Sequence, residues 1–426
     1  MTPPPRCVRA LSIHAGYRCR HAGACCSSGW DIPVEPEVEL HLRSALSSGR
    51  LRAPEAVISS PLPDTQARRA TACFRPVAGL PHGARVVLAS GPSGRCVFLE
   101  ADRRCAVHRQ LGLEALPPAC RDFPRVVTLT PLGVSVTLSH YCPTAASLLF
   151  APVIPRDSGL PGPEGSAVDI VADPPSLPPS WPYEGLDARD ALPPLLRPGV
   201  LMDWPSLERW ERFAVAVLGD EGRSPEAALD LVTTSAEEAR RWTPGDGPFA
   251  EFFERVLSSR GASVEPGDEG SATPADPSGP GRRESLGVTW RLVADCVPHR
   301  ELLPPAPVSI DEADDRWVAP SWPTLARPVR RWLAAKAFAS WLALQGEGLR
   351  TAALGLRVAL GSLRAEAARG CAEAGRALDA DLLKEAIRRA DRLLVHLADP
   401  EALARRLSRG ESAGRRDCSG LVGHLE

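Results

Sequence analysis

The sequence predicts a mainly α protein, in which a small irregular α+β cysteine-rich metal-binding module is followed by an all-α helical domain. Two observations support this fold class. Nine of the 12 cysteines fall within the first 142 of the 426 residues. Beyond residue 200, apolar side chains recur at helical spacing over segments long enough to form helices.

Shifts in composition suggest where the parts of the chain begin and end. The 426 residues suffice for two or three domains, and 44 prolines and 35 glycines are typical of long irregular connections. In chain order we predict a cysteine-cluster metal-binding module (1–150), a Pro-rich linker (151–200), a helical segment (201–260), a disordered linker (261–284), a helical bundle (285–408) and a flexible tail (409–426).

The module and the helical part differ in local pattern. Within the module we predict a short hairpin over 96–105 with a polar turn at 101–104, a short helix over 111–116, and a second hairpin over 126–138. Further along the chain, apolar periodicity, Pro near the helix starts and Gly near the ends predict helices. These helices cover 204–219, 225–242, 249–257, a run that starts near 325, 351–374, 381–397 and 400–407.

Charge divides the chain in a similar way. Residues 1–150 contain 17 Arg against 10 Asp plus Glu, a net charge of +7, whereas the rest carries −9, so the whole chain carries −2. The arginines of the module could neutralise thiolates, attract an anionic ligand or simply face solvent. Nucleic-acid binding is disfavoured, because Lys336 and Lys384 are the only lysines and no zinc-finger spacing occurs.

No apolar segment of signal-peptide length follows the N-terminal residues, and no run of about 18 apolar residues occurs. We therefore expect a cytoplasmic protein that does not bind a membrane. Clustered cysteines in that compartment indicate a metal site or redox chemistry rather than disulfides.

Seven thiols in two groups are the candidate metal ligands. They are Cys19, Cys25, Cys26, Cys96, Cys105, Cys120 and Cys142. A four-coordinate site uses four ligands, so the surplus thiols are structural or serve a second centre. Thiolates suit both zinc and iron–sulfur clusters, and residue type does not separate the two. Cys7 and Cys73 lie outside the motifs, and we expect them to be ordinary buried thiols.

The order of motifs between residues 17 and 150 resembles a known family. The motifs are Tyr17-x-Cys19, Gly23-x-Cys25-Cys26, Gly29-Trp30-x-Ile32, Cys96-x-Phe98-Leu99, Cys105-x-x-His108, Leu111-Gly112, Cys120-Arg121-x-Phe123-Pro124-Arg125 and Leu138-Ser139-x-x-Cys142-Pro143. Together they resemble the CxxCxxCC family of zinc- or iron-chelating proteins, and within it the flagellin lysine-N-methylase-like branch. The family's second cysteine would fall at Ala22, so this chain departs from the pattern there.

The resemblance implies methyl transfer from S-adenosylmethionine to lysines of a flagellin-like protein substrate, with an iron–sulfur cluster as one state of the centre. A dinucleotide-type Gly-rich loop does not support this, since the nearest one, at 90–94, runs directly into Cys96. No catalytic residue is assigned. The alternative is a non-catalytic zinc- or iron-binding protein with a structural, storage or sensing role.

Overall fold

The computed structural model describes residues 7–53, 71–80, 83–91, 94–152, 168–177, 181, 183–261, 285–304 and 309–409. Most of the predicted disordered linker and flexible tail lie outside the described residues, as does part of the Pro-rich linker. The chain divides into two units. The cysteine unit comprises Tyr17–Val126 and Leu138–Ser147, and the helical unit comprises the other residues.

Helices dominate the described residues, which confirms the prediction of a mainly α protein. The strands are β1 (Val8–Leu11), β2 (Pro33–Val34), β3 (Phe74–Pro76), β4 (Val86–Leu88), β5 (Arg125–Thr130), β6 (Gly133–Leu138), β7 (Ile170–Ala172), β8 (Leu186–Asp187), β9 (Leu195–Arg197) and β10 (Val200–Leu201). The helices are α1 (Pro36–Ser47), α2 (Ala106–Leu111), α3 (Pro118–Asp122), α4 (Pro143–Leu148), α5 (Trp204–Gly219), α6 (Pro225–Ala239), α7 (Phe249–Gly261), α8 (Leu286–Ala294), α9 (Ile310–Ala313), α10 (Ala326–Ala337), α11 (Leu349–Ala374), α12 (Ala380–Asp391) and α13 (Pro400–Ser408).

Local signals define the starts of the long helices. The Asp203 carboxylate accepts the Ser206 N–H at 2.6 Å, and the Ser224 hydroxyl accepts the Ala227 N–H at 3.1 Å. Asp399 caps α13 in the same way. A proline follows each cap, where its missing N–H costs no hydrogen bond. The predicted starts of α5, α6 and α13 are confirmed for this reason.

One predicted helix is interrupted. The run expected over 381–397 is α-helical only to Asp391 and continues as a π-helical turn over Arg392–Leu397. The change comes directly after Asp391, whose carboxylate is fully buried. This carboxylate accepts a hydrogen bond from the Trp332 indole N–H at 2.9 Å and pairs with Lys336 at 2.7 Å. Side chains of this helix therefore contact α10 through specific polar bonds as well as through apolar packing.

The ranges predicted as helical, 201–260 and 285–408, contain only Leu201 among the described strand residues, but the helical unit also includes strands from the predicted module and linker. It contains a five-stranded sheet in the order β7-β1-β6-β5-β8, where β1 runs parallel to β6 and antiparallel to β7. The β5–β6 hairpin was predicted, but its partner strands were not. Those strands are two to four residues long and come from distant parts of the chain, so no local periodicity reveals them.

The core of the helical unit is rich in tryptophan. Trp332 is fully buried, and Trp290 and Trp322 are nearly so. Each indole N–H donates to a carboxylate, of Glu366 in the case of Trp290 and of Glu226 in the case of Trp322, both at 2.8 Å. A buried indole N–H needs a hydrogen-bond acceptor, and these carboxylates supply it. The three tryptophans are therefore core residues, as expected.

The cysteine unit contains an antiparallel sheet in the order β2-β4-β3, together with α1 to α3 and most of α4. The hairpin predicted over 96–105 is reduced to a tight loop closed by one bridge between Leu99 and Cys105. The helix predicted over 111–116 is misplaced, since α2 ends at Leu111 and a 3₁₀ turn follows. Gly112, at φ +92°, ends α2 because this backbone conformation favours glycine.

Among the described helices, none combines the length and the apolar character needed to cross a membrane.

Candidate metal centre

All seven predicted thiols belong to the cysteine unit, and the structure sorts most of them into two sets. The inner thiol group is Cys25, Cys26, Cys96 and Cys105, with Cys120 beside it. The outer group is Tyr17, Cys19 and Cys142.

A main-chain bond joins the two cysteine motifs of the inner group. The Cys96 N–H donates to the Cys26 carbonyl at 2.8 Å. The loop before Cys26 turns at Gly23, where φ is +70° and an added Cβ would lie 3.1 Å from the Arg103 carbonyl oxygen. Glycine at this point lets the first motif approach the loop that precedes Cys105.

The inner thiols converge on Cys26. The Cys25 and Cys26 sulfurs are 3.8 Å apart. The pKa of Cys26 is raised well above its ordinary value by hydrogen bonding to Cys105 first, and then to Cys25 and Cys96. A buried thiol that faces several electron-rich sulfurs keeps its proton, because losing it would place negative charges side by side.

The pKa values of two neighbours of Cys26 are lowered instead of raised. Hydrogen bonds from Cys26, and then from the N–H groups of His108 and Val107 at the start of α2, outweigh burial and lower the pKa of Cys105 to about 7. The pKa of Cys25 is also lowered, chiefly by the hydrogen bond from Cys26. The group therefore offers thiolate, the form that binds metal.

Arginines near these thiols have other partners. Arg103 donates to the Ala22 carbonyl at 3.1 Å, Arg104 pairs with Asp102 at 3.8 Å, and Arg109 forms a two-pronged ion pair with Glu100. In the family whose motifs this chain resembles, the second cysteine would fall at the position of Ala22. The groups that shift the pKa values of the inner thiols are instead sulfurs, main-chain N–H groups, Glu100 and burial.

Two further thiols adjoin the inner group. Burial raises the pKa of Cys120 in α3 well above its ordinary range, and the charges of Cys25, Cys96 and Cys105 add to this shift. Cys73 is fully buried in the core of the same unit. Burial and, to a smaller degree, Cys96 raise the pKa of Cys73 to about 12. Cys73 is thus buried as expected, but it lies close to the candidate ligands. Cys7 is exposed, so the prediction that it is buried was wrong.

Tyr17 organises the outer group. Its hydroxyl lies 3.7 Å from the Cys142 sulfur and also interacts with the Cys19 thiol. Burial, followed by Cys142 and Cys19, raises the Tyr17 pKa far above its usual value, while Arg125 opposes the shift. The Arg125 guanidinium lies 5.8 Å from the centre of the Tyr17 ring. The sequence marked Tyr17 only as part of a motif and did not identify it as a site residue.

Two histidines lie beside the thiols. The rings of His21 and His108 are 5.0 Å apart, and the His21 N–H donates to the Cys19 sulfur at 3.4 Å. The pKa of His108 is lowered by burial first and by His21 second. A third histidine, His140, is fully buried.

A narrow surface pocket opens at the inner group, and Cys25, Cys26 and Cys96 form part of its lining. In the part of the chain that the structure describes, no three Cys, His, Asp or Glu side chains already surround a point where one ion could bind. The thiols instead contact one another at Cys26. Rotation of their side chains would be needed for them to face a common centre.

The sulfur spacing fits such a centre. Two ligands bound tetrahedrally to one zinc ion at 2.3 Å are about 3.8 Å apart. The Cys25 and Cys26 sulfurs have this separation. Four thiols, of which Cys25 and Cys105 have lowered pKa values, are a donor set that could hold zinc or an iron–sulfur cluster.

Comparison with known proteins found no significant match to this chain. No protein-family model matches the chain, and no curated protein and no solved structure is significantly similar to it.

Proposed function

We propose that the cysteine unit binds zinc or an iron–sulfur cluster through Cys25, Cys26, Cys96 and Cys105, with Cys120 as an adjoining thiol. The observation that carries the proposal is the convergence of three thiols on Cys26. Ordinary buried thiols are small apolar groups that need no such grouping.

Charge supports the same proposal. Thiolate at Cys25 and Cys105 would place negative charge in a partly buried position, and isolated buried charge is costly. The nearby arginines pair with Asp102, Glu100 and a carbonyl instead. A bound cation would supply the compensating charge and would deprotonate Cys26 as well.

The sulfur spacing supports some metal centres more than others. In a four-thiolate [4Fe–4S] cluster each iron takes one cysteine, whereas a zinc ion takes all four and each iron of a [2Fe–2S] cluster takes two. Adjacent cysteines with sulfurs 3.8 Å apart suit two ligands of one metal. The proposal therefore favours zinc or a [2Fe–2S] cluster.

The test is metal and sulfide analysis of anaerobically purified protein, with absorption spectra, for the wild type, Cys26→Ser and the control Cys371→Ser. Cys371 is a buried thiol of the helical unit. We expect the same metal content in the wild type and the control, and a lower content in Cys26→Ser. Equal metal content in all three, or none in the wild type, would contradict the proposal.

For the role of this centre we propose, on the motif resemblance alone, protein-lysine methylation with S-adenosylmethionine as methyl donor and a flagellin-like protein as substrate. The assay incubates the metal-loaded protein with labelled S-adenosylmethionine and flagellin, and uses Cys26→Ser as the matched control. Label on flagellin lysines with wild type alone supports the role. Absence of label with an intact centre refutes it for that substrate.

The second candidate role is structural. Four protein thiols close a tetrahedral site, and closed sites are those that stabilise folds. Such sites contribute on the order of 10 kcal/mol to folding in small zinc domains. Under this role a chelator unfolds the cysteine unit and no methyl transfer occurs. Protection of the cysteine-unit amides from hydrogen exchange, measured with and without chelator, decides between the outcomes.

A further inference from the structure

The outer group consists of candidate ligands that do not take part in the contacts of Cys26. Cys26 interacts with Cys25, Cys96 and Cys105, which already make four sulfurs. Cys142 has a different neighbour, because its sulfur lies 3.7 Å from the Tyr17 hydroxyl. The same hydroxyl interacts with the Cys19 thiol, so one phenol lies beside two thiols.

The separation of these donors suits two ligands of one ion. A tetrahedral ion with a sulfur at 2.3 Å and an oxygen at about 2.1 Å holds the two ligand atoms about 3.6 Å apart. The observed separation between Tyr17 Oη and Cys142 Sγ is 3.7 Å. Little movement of either side chain would therefore be needed for both to bind the same ion.

The three donors differ in exposure. Tyr17 and Cys142 are each 5% exposed, so surrounding side chains restrict their movement. Cys19 is exposed and lies in a loop where His21 has φ +54° and donates its N–H to the Cys19 sulfur. Two fixed donors and one exposed donor leave one side of the group facing solvent.

We propose that Tyr17, Cys19 and Cys142 form a second metal site, which binds one zinc-like ion through two thiolates and one phenolate and leaves the fourth position open to water or a small anion. Catalytic zinc sites have three protein ligands and an open fourth position, whereas closed four-thiol sites stabilise a fold. Binding releases the protons of the two thiols and of the phenol to solvent.

This inference extends the proposed metal binding of the cysteine unit but depends on different residues. The two sites are separable by stoichiometry. Full-length protein freed of metal is titrated with Co²⁺, and the bound ions are counted from the visible spectrum and by elemental analysis. The variants are Tyr17→Phe, Cys142→Ser and Cys26→Ser, with Cys7→Ser as the control because Cys7 is an exposed thiol of the helical unit.

We expect two Co²⁺ ions in wild type and Cys7→Ser, and one in Cys142→Ser. Tyr17→Phe keeps the ring and removes only the oxygen, and its second Co²⁺ should bind more than about 10-fold more weakly, since loss of even an outer-shell partner costs that much. Azide should change the Co²⁺ spectrum of wild type and Cys26→Ser but not that of Cys142→Ser, because only the outer site has an open position.

One ion in the wild type that Cys142→Ser keeps and Cys26→Ser loses overturns the second site, as do two ions in both Cys142→Ser and Tyr17→Phe. Loss of one ion in Cys142→Ser with no loss in Cys26→Ser would refute the inner site and leave the outer one standing. Far-UV circular dichroism checks that each variant is folded. The wild-type ion count and its response to azide test the second site without any variant.

Discussion

Replacing Asp391 by Ala should destabilise the helical unit severely. The Asp391 carboxylate is fully buried, accepts the Trp332 indole N–H at 2.9 Å and pairs with Lys336 at 2.7 Å. Lys336 is itself only 15% exposed. Removing the carboxylate leaves a largely buried ammonium without this partner, and breaking buried pairs in this way costs about 3–5 kcal/mol. That loss is a large share of a typical total stability of about 5–15 kcal/mol.

The chain provides a matched control, because its other lysine also pairs with an aspartate of α12. Lys384 lies 4.0 Å from Asp381, which is 89% exposed. Exposed pairs are worth about 0–1 kcal/mol, so Asp381→Ala should cost less than about 1 kcal/mol. Both variants are compared with the wild type by urea unfolding, followed by far-UV circular dichroism.

The double variant Asp391→Leu/Lys336→Met adds a second comparison. Replacing both members of a buried pair by apolar groups is often neutral or stabilising, so this variant should be more stable than Asp391→Ala. A cost below about 1 kcal/mol for Asp391→Ala, on the scale of an exposed pair, would refute the reasoning. So would equal costs for Asp391→Ala and Asp381→Ala.

Three further predictions concern the pH dependence of stability, the substitution of two glycines and the removal of metal. Burial lowers the pKa of His396 to about 4, so the unfolded chain binds its proton first as pH falls from about 6.5. Stability should therefore fall by up to about 3 kcal/mol between pH 6.5 and 4, and His396→Gln should flatten this part of the profile measured by urea unfolding. Gly23→Ala should lower the melting temperature and weaken metal binding more than Gly29→Ala. Both glycines have positive φ, but only Gly23 has a neighbouring carbonyl within 3.1 Å of an added Cβ. Chelator treatment should raise hydrogen exchange in the cysteine unit and leave α11 protected; equal effects on both would contradict a metal centre confined to that unit.

The sequence supported accurate predictions of several helix starts and of the β5–β6 turn, which depend on neighbouring residues. The start of α5 follows from Asp203 and Pro205, and the turn between β5 and β6 follows from the 131–133 segment. Prediction from the sequence was less accurate where a single residue ends a helix, as Gly112 does after α2. The α-to-π change after Asp391 depends on contacts with α10, which no local pattern encodes.

For the candidate site, residue type and clustering alone determined which thiols could bind metal, because thiolate chemistry belongs to cysteine wherever the chain places it. Only the tertiary structure decided the grouping: Cys26 with Cys96 and Cys105, and Tyr17 with Cys142. The same holds for β1, which pairs with β6 far along the chain. Such pairings close long loops at an entropic cost that burial of distant side chains must offset, and that balance depends on the whole fold rather than on any local stretch.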